Sequence, residues 1–191
     1  LNKKGWSLTG AVSFYEADVN LNRCVFRNIP CEDALNTVRS TFLMEKCHFF
    51  NLEYDAFDSD FCKGEIRSSS FVDVGNDGID FSGSVVNIRD CLMQNCGDKG
   101  VSVGEESDVN VFASTIENCP IAFASKDLSV LYIEEVKIKV CDQAFVAYEK
   151  KAEFGGSKII VKSYSTTDVK RLHAISKGCS LQLETVLITG E

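Results

Sequence analysis

The chain has 191 residues, of which 45% are hydrophobic and 25% charged, with 13 glycines and only 2 prolines. This is globular composition, and it excludes a disordered or low-complexity chain. A net charge of -8 disfavours nucleic acid and anionic membrane, which both require basic patches, and no run of about 20 apolar residues is present to insert into a bilayer.

Taken in chain order, one short signature returns about every 22 residues. It begins at Gly10-Ala11-Val12-Ser13 and continues through Asp33-Ala34-Leu35-Asn36, Asp55-Ala56-Phe57-Asp58, Asp77-Gly78-Ile79-Asp80 and Lys99-Gly100-Val101-Ser102. Fainter copies follow at Ile121-Ala122-Phe123-Ala124, Gln143-Ala144-Phe145-Val146 and His173-Ala174-Ile175-Ser176. A unit this short cannot bury its apolar face alone and must stack on copies of itself, so the repeat predicts a solenoid.

Each unit carries a second stretch of the form apolar-x-apolar-x-x-small-x-apolar. Examples are Val19, Leu21, Cys24, Phe26; Phe42, Met44, Cys47, Phe49; and Val86, Ile88, Cys91, Met93. The alternation has the period of strands, and the x-x step marks a bend between two of them. Three short strands per repeat predict an all-β fold: a right-handed, single-stranded parallel β-helix of about eight coils. The column Val12, Leu35, Phe57, Ile79, Val101, Phe123, Phe145, Ile175 is expected to face inward. Asn28, Asn51, Asp73, Asn95 and Asn118 share one position in five successive units. Asn tolerates left-handed backbone and can bond its copy in the next coil, so a structural ladder at a tight corner is expected.

After Gln143 the period fails, and a loop thrown out from one corner is expected over about 148–157. The final Leu181, Leu183, Val186 and Ile188 match the second stretch again. The whole of 1–191 reads as one domain. No charged or helical cover is evident at either end, and an open stack exposes strand edges, so flanking domains or further coils of a longer parent chain are expected.

The nine cysteines form no CxxC pair, which removes the usual zinc and redox spacings. Cys24, Cys47 and Cys91 share a repeat position with Ser69, Ser114 and Val136, and Cys96, Cys119 and Cys141 share another. Exchange with small or apolar residues points to buried free thiols. One or two bridges between neighbouring coils remain the alternative.

With turns such as EDALN, DAFDSDF, NDGIDFSGS and GDKGVSVGE, the chain resembles right-handed parallel β-helix repeats of the pectate-lyase-like superfamily along almost its whole length. More narrowly, it is similar to β-helical modules of bacterial surface proteins with spore-coat-H-like domains. The resemblance implies an extracellular or cell-envelope location and either binding or processing of polysaccharides. The Gly-His-Gly and Arg-x-Lys patterns of polygalacturonase-like relatives are absent.

Acidic residues gather on one flank: Glu32, Asp33, Asp55, Asp58, Asp60, Asp77, Asp80, Asp98 and Glu105, with Lys99 and Lys126 as the only well-placed cations. Strand parity puts Asn36, Asp58, Asp80 and Ser102 outside, one coil apart. Like charges at that spacing raise each other's pKa unless something compensates. Three readings stand. Asp58 and Asp80, with Asn36 or backbone carbonyls, are the donors of a calcium site. Alternatively, Asp58, Asp80 and Lys99 are the catalytic centre of a carbohydrate-active enzyme, a lyase, epimerase or glycosidase. In the third, Asp33, Asp55 and Asp77 cap backbone amides and the outer carboxylates are simply solvated. His48 and His173 are expected at surface or corner positions, and Tyr15, Tyr148 and Trp6 are candidates for stacking on sugar rings. The favoured function is a non-catalytic module whose acidic face, Asp33, Asn36, Asp55, Asp60, Asp77, Asp98 and Glu105 included, binds a polysaccharide or a protein partner.

Overall fold

The structure is a computed structural model that describes residues 2–3 and 6–190, with side-chain surroundings for 8–190. It is a parallel β-solenoid, and no α-helix occurs among the described residues. Three sheets run along the stack, with eight, nine and seven strands. The first holds the signature strands, Gly10–Tyr15 to Arg171–Ile175. The second begins with Asp18–Asn22 and the third with Val25–Ile29. Coils are numbered here from one to eight by their first-sheet strand.

Register follows the repeat through most of the stack. Leu35 pairs with Phe57, Phe57 with Ile79, Ile79 with Val101, Val101 with Phe123, and Phe123 with Phe145. All six are fully buried. The last coil departs from expectation: Phe145 pairs with His173, and Ile175 stands opposite Ala147. The signature resemblance at His173 is therefore displaced by two residues. Strand alternation has period 2, so a two-residue slip preserves every side chain's face and leaves no trace in the pattern.

The core is built from aromatic and aliphatic columns. Phe26, Phe49 and Phe71 stack with centroids 4.5 and 4.8 Å apart, close to the strand spacing itself. In the second sheet Phe42 turns its ring edge to Phe57 at 5.2 Å. Room for that ring comes from Gly64 one coil on, where a Cβ would lie 2.4 Å from Phe42.

Left-handed residues make the bends, three in each of coils one to four and four in each of coils five and six. Arg39, Phe61 and Gly83 turn the first sheet into the second, and Lys46, Ser68 and Asp90 turn the second into the third. Asn28, Asn51, Asp73, Asn95 and Asn118 all have φ between 53° and 55°. Their amides form the expected ladder, with Asn51 Nδ2 donating to Asn28 Oδ1 at 2.7 Å and Asn118 Nδ2 to Asn95 Oδ1 at 2.8 Å. Its place differs in part: Asn28, Asn51, Asp73 and Asn95 lie within strands of the third sheet and bend them internally, whereas Asn118 follows the end of its strand.

All nine cysteines are free thiols. Several occupy positions where a small side chain accepts a backbone N–H from the preceding coil. Cys47 N donates to Ser69 Oγ at 3.0 Å, Cys62 N to Ser84 Oγ at 2.9 Å, and Ser40 N to Cys62 Sγ at 3.3 Å. Serine and cysteine exchange in these columns because both are small acceptors. In the other column, Cys119 Sγ donates to Glu117 O at 3.5 Å and Cys141 Sγ to Lys139 O at 3.3 Å, each two residues back.

Tyr148 still belongs to strand Gln143–Tyr148, and the irregular segment runs over 149–157. At the C-terminal end, Val186–Thr189 does not turn into the third sheet as its pattern suggested. It folds back antiparallel on Ser180–Leu183, pairing Leu181 with Ile188. Glu184, at φ 51°, makes the reversal. Alternation looks the same in a reversed strand as in a continued one.

Candidate functional site

The outer face of the first sheet holds the acidic residues. Alternation turns Leu35 and Phe57 inward and their successors Asn36 and Asp58 outward. Parallel register then aligns Asn36, Asp58, Asp80 and Ser102 on four adjacent strands. A second outward column, two residues on, carries Val38, Asp60, Ser82, Gly104, Lys126 and Tyr148. On the opposite border stand Asp33, Asp55, Asp77 and Lys99, at the starts of their turns. The result is a furrow with a polar floor and two charged borders.

The irregular segment of coil seven stands beside the second border. Asp127, which is buried, accepts the backbone N–H groups of both Lys150 and Lys151 at 2.7 Å. Leu128 N donates to Gly155 O at 3.1 Å. Lys151 then pairs with Glu105. Asp127 has no counterpart in the repeat pattern, and sequence reasoning missed it for that reason.

The border carboxylates do act as caps. Asp55 Oδ1 accepts from Asp77 N at 2.8 Å and from Asn76 Nδ2 at 2.7 Å, and Asp77 Oδ1 accepts from Lys99 N at 3.0 Å. That covers the backbone role expected of Asp55 and Asp77. Asp33 differs, because its Oδ2 is buried without a hydrogen-bond partner.

The cations are placed unequally. Lys99 Nζ lies 3.3 Å from Asp77 Oδ1 and also pairs with Asp98. Lys126 Nζ lies 3.4 Å from Asp80 Oδ1, two coils back. Its stem crosses Gly104, where a Cβ would come within 3.0 Å of Lys126 Cε, so the glycine leaves the channel the lysine runs through. Asp58, Asp80 and Lys99 therefore do not form one ion-paired centre. Lys99 serves Asp77, and Lys126 stands at Asp80 in its place.

Several carboxyls stand above the ordinary carboxylate range, and burial is the largest cause in each. Burial pushes Asp58 up to about 8, helped by Asp60, Asp33, Asp80 and Asp55. Burial likewise raises Asp77 to about 7 against the pull of Lys99, and Asp33 to about 6 against a hydrogen bond from Thr9. Asp55 and Asp60 are raised for the same first reason. For Lys99, burial opposes the charge, but Asp77 and Asp98 outweigh it and the pKa rises. Asn36 Nδ2 donates to Asp58 Oδ2 at 2.8 Å.

Ser102 completes the floor. It is fully buried, and its Oγ has no hydrogen-bond partner. A buried hydroxyl left unpaired costs about 1–3 kcal/mol, and Ser102 shares this state with Asp33 Oδ2.

The calcium expectation meets two obstacles in this arrangement. Among the described residues no three His, Cys, Asp or Glu side chains are grouped to hold a metal ion, and the Lys126 ammonium already faces Asp80. Asp58 and Asp80 alone supply fewer than the roughly six to eight oxygens calcium takes.

Other candidates lie apart. His48 is exposed on the third sheet, with Nδ1 2.9 Å from Ser70 Oγ. His173 is half-buried in the eighth coil. Tyr15 is 44% exposed and accepts a hydrogen bond from Arg39 Nη1. Tyr148 closes the C-terminal side of the furrow, and the side chain of Trp6 falls outside the described residues. A hollow of about 410 Å³ between the second and third sheets, lined by Ser114, Thr115, Lys137 and Tyr164, contains no carboxylate ladder.

Three parallel sheets, one per side of every coil, define a solenoid module with a polar furrow on one face. The model of the right-handed β-helix region matches residues 34–181, and the chain belongs to that family. No curated protein matches it.

Proposed function

We propose that the chain is a non-catalytic β-helix module of an extracellular or cell-envelope protein, and that it binds a glycan along the outer face of the first sheet. The observation that carries this reading is the buried, unpartnered Ser102 Oγ in line with Asn36, Asp58 and Asp80. Hydroxyls and carboxylates repeating at about 4.8 Å suit a polymer of hydroxyl-bearing units, which donate to the carboxylates and bond either way with Ser102. Lys126 runs past Gly104 to Asp80 beside this floor, and it supplies a cation at the C-terminal part of the face. Calcium is a subsidiary part of the proposal, as a ligand-linked ion.

Calorimetric titration with a panel of neutral, acidic and amino oligosaccharides tests the reading. Ser102→Ala is expected to weaken binding about tenfold, the equivalent of roughly one charge-free hydrogen bond, while leaving the melting temperature unchanged or raised. Failure of the whole panel to bind would discard the glycan reading in favour of a protein partner.

A second reading has one observation in its favour. Neighbouring Asp58 and Asp80 occupy unlike surroundings, one protonated at neutral pH and one facing an ammonium, which is how carboxyl pairs divide acid and base roles. The same titrations, followed for new reducing ends or unsaturated products, test it.

A further inference from the structure

Cysteines stand in register with cysteines on adjacent coils in two places. In the third sheet Gln94 pairs with Glu117 and Glu117 with Lys139, which sets Cys96, Cys119 and Cys141, two residues further on, in one line. At the bend between the second and third sheets, the pairs Asn22 with Glu45 and Val25 with His48 bracket Cys24 and Cys47. The ladder runs through that bend without a break, because Arg23 N donates to Glu45 O and His48 N to Cys24 O, each at 2.9 Å. Cys47 Sγ leans towards coil one, 3.5 Å from Leu21 O. The remaining thiols of these small-residue columns neighbour serines: Cys62 lies between Ser40 and Ser84, Cys91 beside Ser114, and Cys179 beside Ser157. Access to solvent separates the two places. Cys96, Cys119 and Cys141 are 3%, 2% and 1% exposed, whereas Cys24 is half-buried beside a wholly buried Cys47. Cys31 is also half-buried, but the matching turn one coil on, Glu53-Tyr54, has no thiol.

We propose that Cys24 and Cys47 are a redox staple, which a small-molecule disulfide oxidises to a bond that fastens coil one to coil two. Adjacent strands stand about 4.8 Å apart, inside the Cα separation of about 4.4–6.8 Å that a disulfide spans. The half-buried Cys24 reacts first. Its thiolate attacks one sulfur of the oxidant, whose S–S bond breaks and releases one thiol. The sulfur of Cys47 then attacks the Cys24 sulfur of the mixed disulfide, forming the cross-coil bond and expelling the second thiol. Two electrons and the two thiol protons pass to the oxidant, so the chain loses two hydrogens. Cys47 does not begin the sequence, because it is closed off from solvent. Cys31 takes the first step and stops there for want of a neighbouring thiol. The three strands of coil one are the outermost of their sheets, so that coil is held from one side only. A covalent link there restricts the opening of the terminal coil, and the thiol–disulfide poise of the surroundings sets how firmly it is held.

The test exposes the fully reduced native chain to oxidised glutathione in mildly alkaline buffer, quenches with acid, and reads intact mass and non-reducing tryptic peptides. The expected product has lost two hydrogens through a link between Cys24 and Cys47 and carries glutathione on Cys31. Cys47→Ser is expected to strand Cys24 as its glutathione mixed disulfide, and Cys24→Ser to leave Cys47 unreacted. Serine already stands in this column at Ser69 and Ser114, so both variants suit the packing. Deuterium uptake over residues 10–22 is expected to slow about tenfold in the linked chain. A native chain that accumulates glutathione on Cys24 without closing would overturn the pairing, as would a Cys24 that stays reduced or a link through Cys96, Cys119 or Cys141 in its place. A linked chain that exchanges over 10–22 as fast as the reduced one would overturn the staple.

Discussion

Asp58 sits on the floor of the furrow with its carboxyl pushed up to about 8 from an ordinary 3.8. Between those two pH values the folded chain retains a proton that the unfolded chain has released. Stability therefore falls as pH rises through this window, by an amount on the order of 5 kcal/mol for a group shifted this far. Asp33 and Asp77, raised to about 6 and about 7, add in the same direction over narrower windows. The chain is expected to melt several degrees higher at pH 5.5 than at pH 8. Asp58→Asn, which keeps an oxygen for the Asn36 amide, should raise the pH 8 melting temperature and flatten the profile; a pH profile unchanged by the substitution would refute the assignment. This column was legible from sequence because Asp58 and Asp80 recur at one repeat position. Which lysine meets which carboxylate was not legible, because Lys126 reaches back two coils and its path depends on the gap at Gly104.

At the scale of a strand, each column tolerates only residues that fit its neighbours one coil away. Gly64 stands in the second sheet between Phe42 and Val86, and its missing side chain is what lets the Phe42 ring reach Phe57. Gly64→Val would satisfy the apolar pattern and still overpack the core. The expected cost is about 2–3 kcal/mol, seen as a lower denaturant midpoint with an unchanged slope. Phe42→Ala in the same chain should recover part of it, and a Gly64→Val chain as stable as the parent would contradict the packing described. Interior columns and the Asn ladder could be read from sequence because both repeat with the coil. Positions that break the repeat could not: His173 slipped by two residues and Val186–Thr189 reversed direction, and period-2 alternation is blind to both changes.

For the whole molecule, a solenoid has contacts only between adjacent coils, so its stability is a sum of local interfaces. Its ends are thinner than its middle. Val12 is 38% exposed and Leu187 63%, against complete burial of Phe57, Ile79 and Phe123. Hydrogen exchange is expected to be slowest in coils three to six and to quicken towards Gly10–Tyr15 and Val186–Thr189, as measured by peptide mass shifts over time. Uniform protection along the chain would show a cooperative unit that nearest-neighbour contacts do not explain.

Sequence alone determined the architecture: a 22-residue period with apolar alternation admits one way of burying its strands. It also located the acidic face, because a column in the repeat is a line on the surface. Only the tertiary structure decided what that face contains. Burial raised the carboxyls at one end, lysines from later coils neutralised the other, and Ser102 and Asp33 were left with unpaired oxygens. These are properties of neighbours brought together across coils, and a period records where side chains align without recording how far each one reaches.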